Sequence, residues 1–220
     1  MTLSIGENLS DSFEFAKNGL VGHWSRWFIL MVISCIPIVG FIQYGYLVKI
    51  FKGGDTAPEL EVYEQMFING IKLFIVVVAY LVLGLLIPFF LIFMPGFVLS
   101  NEMIKTLGDI FVVLGGVLGF MLSMVGGIRF AKTGSLSEAF NFGEILETLE
   151  KIGWLYYILS CIVFIIAFCV FVILLYAIVL FIPYIGGLPE ELLSFILLAL
   201  IFPFLILWGG KFFENLYSCA

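Results

Sequence analysis

Three groups of residues in this chain have types and spacings that could do work. Glu144, Glu147 and Glu150 recur every third position, which sets three carboxylates along one side of a helix. Such a row can dock a basic partner surface. Gly115, Gly119, Ser123 and Gly127 recur every fourth position, and small residues at that spacing let two helices approach closely. They serve helix packing within the chain, with a homodimer face as the alternative. Gln43, Tyr44 and Gly45 follow Pro37 and Gly40, so polar groups sit beside a Pro-Gly interruption. Discontinuous helices of that kind hold solutes in transporters.

Enzyme chemistry finds no comparable footing. Asp109, in Thr106-Leu107-Gly108-Asp109, is a lone carboxylate, and general acid–base catalysis needs a second group in reach. HExxH, GxSxG, a glycine-rich phosphate loop and paired intramembrane aspartates are all missing from the sequence. The single histidine, His23, precedes Trp24, Arg26 and Trp27, a membrane-edge composition. Cys35, Cys161, Cys169 and Cys219 form no CxxC, and three of them lie in apolar runs, where a free thiol acts as a small hydrophobe. Cys161 and Cys169 stand too far apart along one helix for a disulfide. The reading is non-enzymatic, with no metal and no cofactor.

The elements that must position these groups are written in the charge-free runs. No Asp, Glu, Lys or Arg occurs in 27–48, 73–101, 110–128, 152–189 or 192–210. A charge at the bilayer centre costs about 2.5–3.5 kcal/mol on insertion scales, and a spanning helix needs about 20 apolar residues. With 63% hydrophobic and 12% charged residues, lipid must cover part of the apolar surface. The chain reads as an all-α, polytopic helical membrane protein forming a single integral domain, residues 1–220, in contact with the lipid bilayer. A net charge of −6 excludes nucleic acid as a partner, which requires a basic footprint. Glu7, Asp11 and Glu14 near the N-terminus exclude a secretory signal peptide.

Between the runs lie shorter segments. Residues 4–20 read as an amphipathic helix opened by a Ser4/Glu7 capping box. Glu59 to Gly70 reads as an acidic amphipathic piece, and Ser135 to Lys151 as another, opened by Ser135 and Glu138. Pro95-Gly96 is expected to end the second apolar stretch. Arg129 and Lys132 close the span over 110–128, Lys211 closes that over 192–210, and Pro183 to Pro189 forms a turn. Trp154 and Tyr156-Tyr157 mark an aromatic belt. Residues 49–75 and 129–155 share one order of events: basic span end, glycine turn, acidic segment, long span. A weak duplication and chance both account for it.

Residues 27–48 admit two paths. One is a kinked full span, giving five spans in all. The other is a break at Pro37–Gly40 into two half-helices that dip in and return, giving four full spans plus a broken N-terminal hydrophobic hairpin. On the second path Lys105 alone of the ten basic residues lies outside, and the positive-inside rule favours it. On either path both acidic segments and the C-terminus face the cytoplasm.

Ordered motifs add a resemblance. Gly45 to Ile50, Pro58-Glu59-Leu60 and Met66 to Lys72 resemble the largely archaeal membrane family catalogued as domain of unknown function 4013. Ala139 to Ile145, leading into Ile152-Gly153-Trp154, is similar to it too, as are Ser12-Phe13 to Trp27 and Phe213 to Tyr217. Ala57-Pro58-Glu59-Leu60 stands where members often show Leu-Pro-Glu-Phe. The resemblance implies an archaeal cell membrane and no assigned activity. The expected function is an accessory or structural membrane subunit that binds a cytoplasmic or membrane protein partner. The alternative is a passive transporter or channel for a neutral or apolar solute.

Overall fold

A computed structural model describes residues 4–98, 100–181 and 190–219. The elements are α1 Ile5–Leu20, α2 Trp24–Ser34, α3 Phe41–Phe51 and α4 Tyr63–Pro88, then a π-helical turn Phe89–Phe93. There follow α5 Met94–Val98, α6 Glu102–Thr133, a 3-10 turn Ser137–Phe140, α7 Phe142–Ile152, α8 Trp154–Phe181 and α9 Glu190–Ser218. Four stretches are long and apolar enough to cross a membrane: Tyr63–Val98, Glu102–Thr133, Trp154–Ala177 and Phe195–Ser218. α2 is a shorter apolar helix. The protein is a polytopic helical membrane protein. The expected turn Pro183 to Pro189 lies outside the described residues.

The chain gathers into two compact units, residues 1–70 with 147–220, and residues 71–146. In the first, α9 is the central helix, with α1, α2, α3 and α8 packed on it. α1 begins with the capping box: Ser4 N–H donates to Glu7 Oε2 at 2.9 Å and Glu7 N–H donates to Ser4 Oγ at 3.2 Å. Hydrogen bonds to the Glu7 carboxylate from the Ser4 side chain and backbone hold this carboxyl below its usual pKa. The buried face of α1 is polar as well as apolar, with Asn8, Ser12, Phe15, Ala16 and Leu20 all enclosed. Asn8 Nδ2 donates to the Phe212 carbonyl at 3.2 Å and Asn8 Oδ1 accepts from Asn215 Nδ2 at 2.9 Å, so amides pin α1 to α9. Pro203 lies inside α9, and Trp27 Nε1 donates to the neighbouring Leu200 carbonyl at 2.7 Å.

The stretch 27–48 breaks at its Pro-Gly interruption. α2 and α3 are 11 residues each, about 16 Å long and half the hydrocarbon thickness. They pack on each other, and Gln43 Nε2 donates to the Leu30 carbonyl at 2.7 Å across the pair. This is the broken hairpin.

In the second unit α4 and α6 cross where Gly84 meets Gly115 and Gly119, backbone against backbone. Pro88 has no N–H for the helix ladder, and the next turn widens: Met94 N–H reaches the Phe89 carbonyl, five residues back. The helix then continues through Pro95 and Gly96 to Val98. The expected stop at Pro95-Gly96 is therefore corrected, because a proline in the first turn of α5 gives up an N–H that needs no intrahelical partner. α6 is capped by Asn101 Oδ1, which accepts from the N–H groups of Met103 and Ile104, and ends at Gly134 with φ +72°. It runs well beyond 110–128 at both ends, and α9 likewise continues past Lys211.

Two further expectations change. Glu59 to Gly70 is not one helical piece. Residues 53–62 are non-helical, and Tyr63–Gly70 is the start of α4 itself. Ser135 to Lys151 is not one helix either. Arg129 draws Glu138 to 2.5 Å, so Glu138 serves an ion pair rather than a cap, and Asn141 Oδ1 accepts from Glu144 N–H at the true helix start. Tyr157 is buried rather than part of a belt, whereas Trp154 is exposed.

Candidate functional site: a polar cleft on one face

A polar cleft of about 650 Å³ opens in the first unit. Four stretches of the chain build it. Asp11, Glu14 and Asn18 fall at i, i+3 and i+7 on α1, beside the face buried on α9. Gly22, at φ +87°, turns the chain so that His23 and Arg26 form a second wall. Residues 55–59, beyond the hairpin, form a third, and Lys211 and Asn215 at the end of α9 complete it. Arg26 precedes the charge-free run 27–48 and Asp55 follows it, yet both line one cleft. The run therefore enters and leaves on a single face.

Close packing sets the cleft's depth. A Cβ at Gly19 would lie 2.6 Å from Ala57 Cβ and 2.9 Å from Leu207 Cδ2, so only glycine lets residues 55–59 lie against α1. The bases that line the cleft are engaged by the chain. Arg26 Nη1 donates to the Gly19 carbonyl at 2.9 Å. Lys211 Nζ donates to Glu214 Oε2 at 2.8 Å and to the Gly54 carbonyl at 3.0 Å, and lies 5.5 Å from the centre of the Phe15 ring. Glu214 is buried and also accepts from Ser218 Oγ at 2.7 Å, so its charge is compensated. Asp11, Glu14, Asp55 and Glu59 are exposed carboxylates with no hydrogen bond or ion pair among the described residues. The cleft thus presents negative charge to water, a field suited to a basic group. Among the described residues no three His, Cys, Asp or Glu side chains converge as a metal site.

The residues singled out by spacing lie elsewhere. Gly115 and Gly119 face Gly84 and the Tyr80 carbonyl within the second unit; Ser123 is buried, with its hydroxyl donating to the Phe120 carbonyl, and Gly127 is buried beside it. Pro37 and Gly40 form the hairpin turn, where Gly40 N–H donates to the Ile36 carbonyl at 2.8 Å. Gln43 is buried with its amide spent on Leu30, Tyr44 is partly exposed beside Phe41, and Gly45 presses on the Met66 backbone. These groups close the hairpin. Glu144 pairs with Arg129 at 3.4 Å and Glu147 with Lys151 at 2.9 Å; Glu150 is exposed. All four cysteines are free thiols, Cys161 buried and Cys35 and Cys169 exposed.

The amphipathic reading of residues 4–20 assigned no site to Asp11, Glu14 or Asn18. Their spacing was the available signal. Nothing local joins them to Asp55 or Lys211.

Comparison with known proteins identifies a family. The sequence model of the family described as "Protein of unknown function (DUF4013)" matches residues 29–182, from the hairpin through α8. α1 and all of α9 lie outside that span, together with the terminal motifs around Ser12 and Phe213. No curated protein and no solved structure matches the chain. The matched span covers well over half of the sequence, and the chain belongs to this membrane-protein family of unknown function.

Proposed function

We propose that the chain is a non-enzymatic accessory subunit of a membrane assembly, and that its polar cleft docks a basic segment of a partner protein. The observation that carries this reading is the cleft's imbalance: four carboxylates from two segments stand unpaired while the neighbouring Arg26 and Lys211 are held by carbonyls and Glu214. With a returning hairpin and four spans, the span count alone puts nine of the ten basic residues on one side of the membrane with residues 1–26, and the positive-inside rule favours the cytoplasm for that side. α1 and α7 are then interfacial amphipathic helices, and Glu150 is an exposed carboxylate of α7. Glu144 and Glu147 are less available for docking, because Arg129 and Lys151 already neutralise them. Passage of a neutral solute along the broken segment draws no support from Gln43, whose amide is buried and bonded.

The test is a photo-crosslinker at Asn18 in native membranes, with and without Asp11, Glu14, Asp55 and Glu59 changed to lysine. The expected result is one stoichiometric crosslinked protein, lost in the charge-reversed chain although it still inserts. Equal crosslinking in both chains, or no stoichiometric adduct in either, contradicts the reading.

A further inference from the structure

Residues 53–62 form a strap between α3 and α4 that carries Asp55 and Glu59 into the cleft. Within it one backbone hydrogen bond closes, from Glu61 N–H to the Glu59 carbonyl at 3.1 Å. What holds it is borrowed from elsewhere in the first unit. Tyr46 Oη donates to the Pro58 carbonyl at 2.8 Å. Lys49 Nζ donates to the carbonyls of Glu59 and Glu61, both at 3.0 Å. Lys211 Nζ donates to the Gly54 carbonyl at 3.0 Å. Every clamp grips the strap's backbone and none grips its carboxylates.

The two ends of the strap are opposites. Gly53 (φ +91°) and Gly54 (φ +147°) take left-handed backbone without penalty. Val62 has φ +54°, and for a β-branched residue that conformation is disfavoured by roughly tenfold or more in population. The docked strap is therefore hinged freely at one end and strained at the other. Undocking lets Val62 return to extended backbone and gives up the clamps. Strain of this kind persists only where surrounding contacts hold it, and it clusters at ligand clamps and switch regions.

We infer that the strap is a releasable lid, docked by Tyr46, Lys49 and Lys211 against the strain at Val62, and that its docking brings Asp55 and Glu59 into the cleft. The lid's role in docking a partner rests on the reading of the cleft given above; its two states do not, and they are measurable without any partner. The experiment places a spin label on Thr56→Cys, an exposed strap position, in a chain whose four native cysteines are replaced, reconstituted alone in lipid. An immobilised and a mobile component report docked and released strap. Val62→Asn, which tolerates left-handed backbone without glycine's extra freedom, is expected to raise the docked-to-released ratio about fivefold or more. Lys49→Ala is expected to lower it about tenfold by removing two charge-assisted bonds. A ratio that Val62→Asn leaves unchanged or lowers, or a spectrum that neither variant moves, overturns the lid.

Discussion

Residues 49–62 and 129–142 start from the same plan and reach opposite electrostatic outcomes. Each begins at a basic helix end, Lys49 and Lys52 or Arg129 and Lys132, and turns at a glycine with positive φ, Gly53 or Gly134. Each base then reaches forward over the following segment. Lys49 takes two backbone carbonyls, and the strap's carboxylates stay free to line a cleft. Arg129 takes two carboxylates, Glu138 and Glu144, and that segment's acidity is consumed. A guanidinium fork suits paired carboxylates, whereas an ammonium is satisfied by any oxygen in range. The lesson is that a run of acids says little about an acidic surface until the partner of each is known.

The comparison extends into the helices that follow. At Gly70 α4 runs on unbroken, because a Cβ there would fall on the Phe41 carbonyl oxygen and only glycine lets α3 cross so closely. At Gly153 the chain breaks between α7 and α8 with φ +91°, and glycine is there for its backbone. The largest expected effect is therefore at Gly70. Gly70→Ala should force two backbones apart and cost about 3 kcal/mol or more, while Gly153→Ala should cost about 1–2 kcal/mol of conformational strain. Thermal unfolding in detergent ranks them, and equal losses would erase the distinction. Smaller is the effect at the two bases. Arg129→Gln should destabilise by about 1–2 kcal/mol, since its side chain is mostly buried while its partners are partly exposed. Lys49→Gln should move the unfolding midpoint less, because the strap can release without unfolding the unit. A larger loss at Lys49 would make the strap part of the folding core rather than a lid.

How far the residues announced this arrangement varies with distance along the chain. The Ser4/Glu7 spacing, the charge-free run after Lys151 and the Pro37–Gly40 interruption each act within a few turns of backbone, and each could be read directly. Ser135 and Glu138 had the same spacing as Ser4 and Glu7, but the Arg129 side chain competes for Glu138, and a cap gives way to an ion pair. Pro95 looked like a stop, yet the widened turn after Pro88 lets the helix restart so that Pro95 falls where a proline is harmless. The cleft was least legible. Asp11, Arg26, Asp55 and Lys211 meet only because amides pin α1 to α9 and Gly19 admits Ala57, contacts that join residues up to about 200 positions apart.

The account turns on residues 27–48 entering and leaving on one face, since that return is what assembles the cleft. The direct measurement is labelling of sealed, oriented vesicles with a membrane-impermeant thiol reagent, using Asn18→Cys and Asp55→Cys singly in a chain free of its native cysteines. Both cysteines should react from the same side. Labelling from opposite sides would make the stretch a full span and dissolve the cleft.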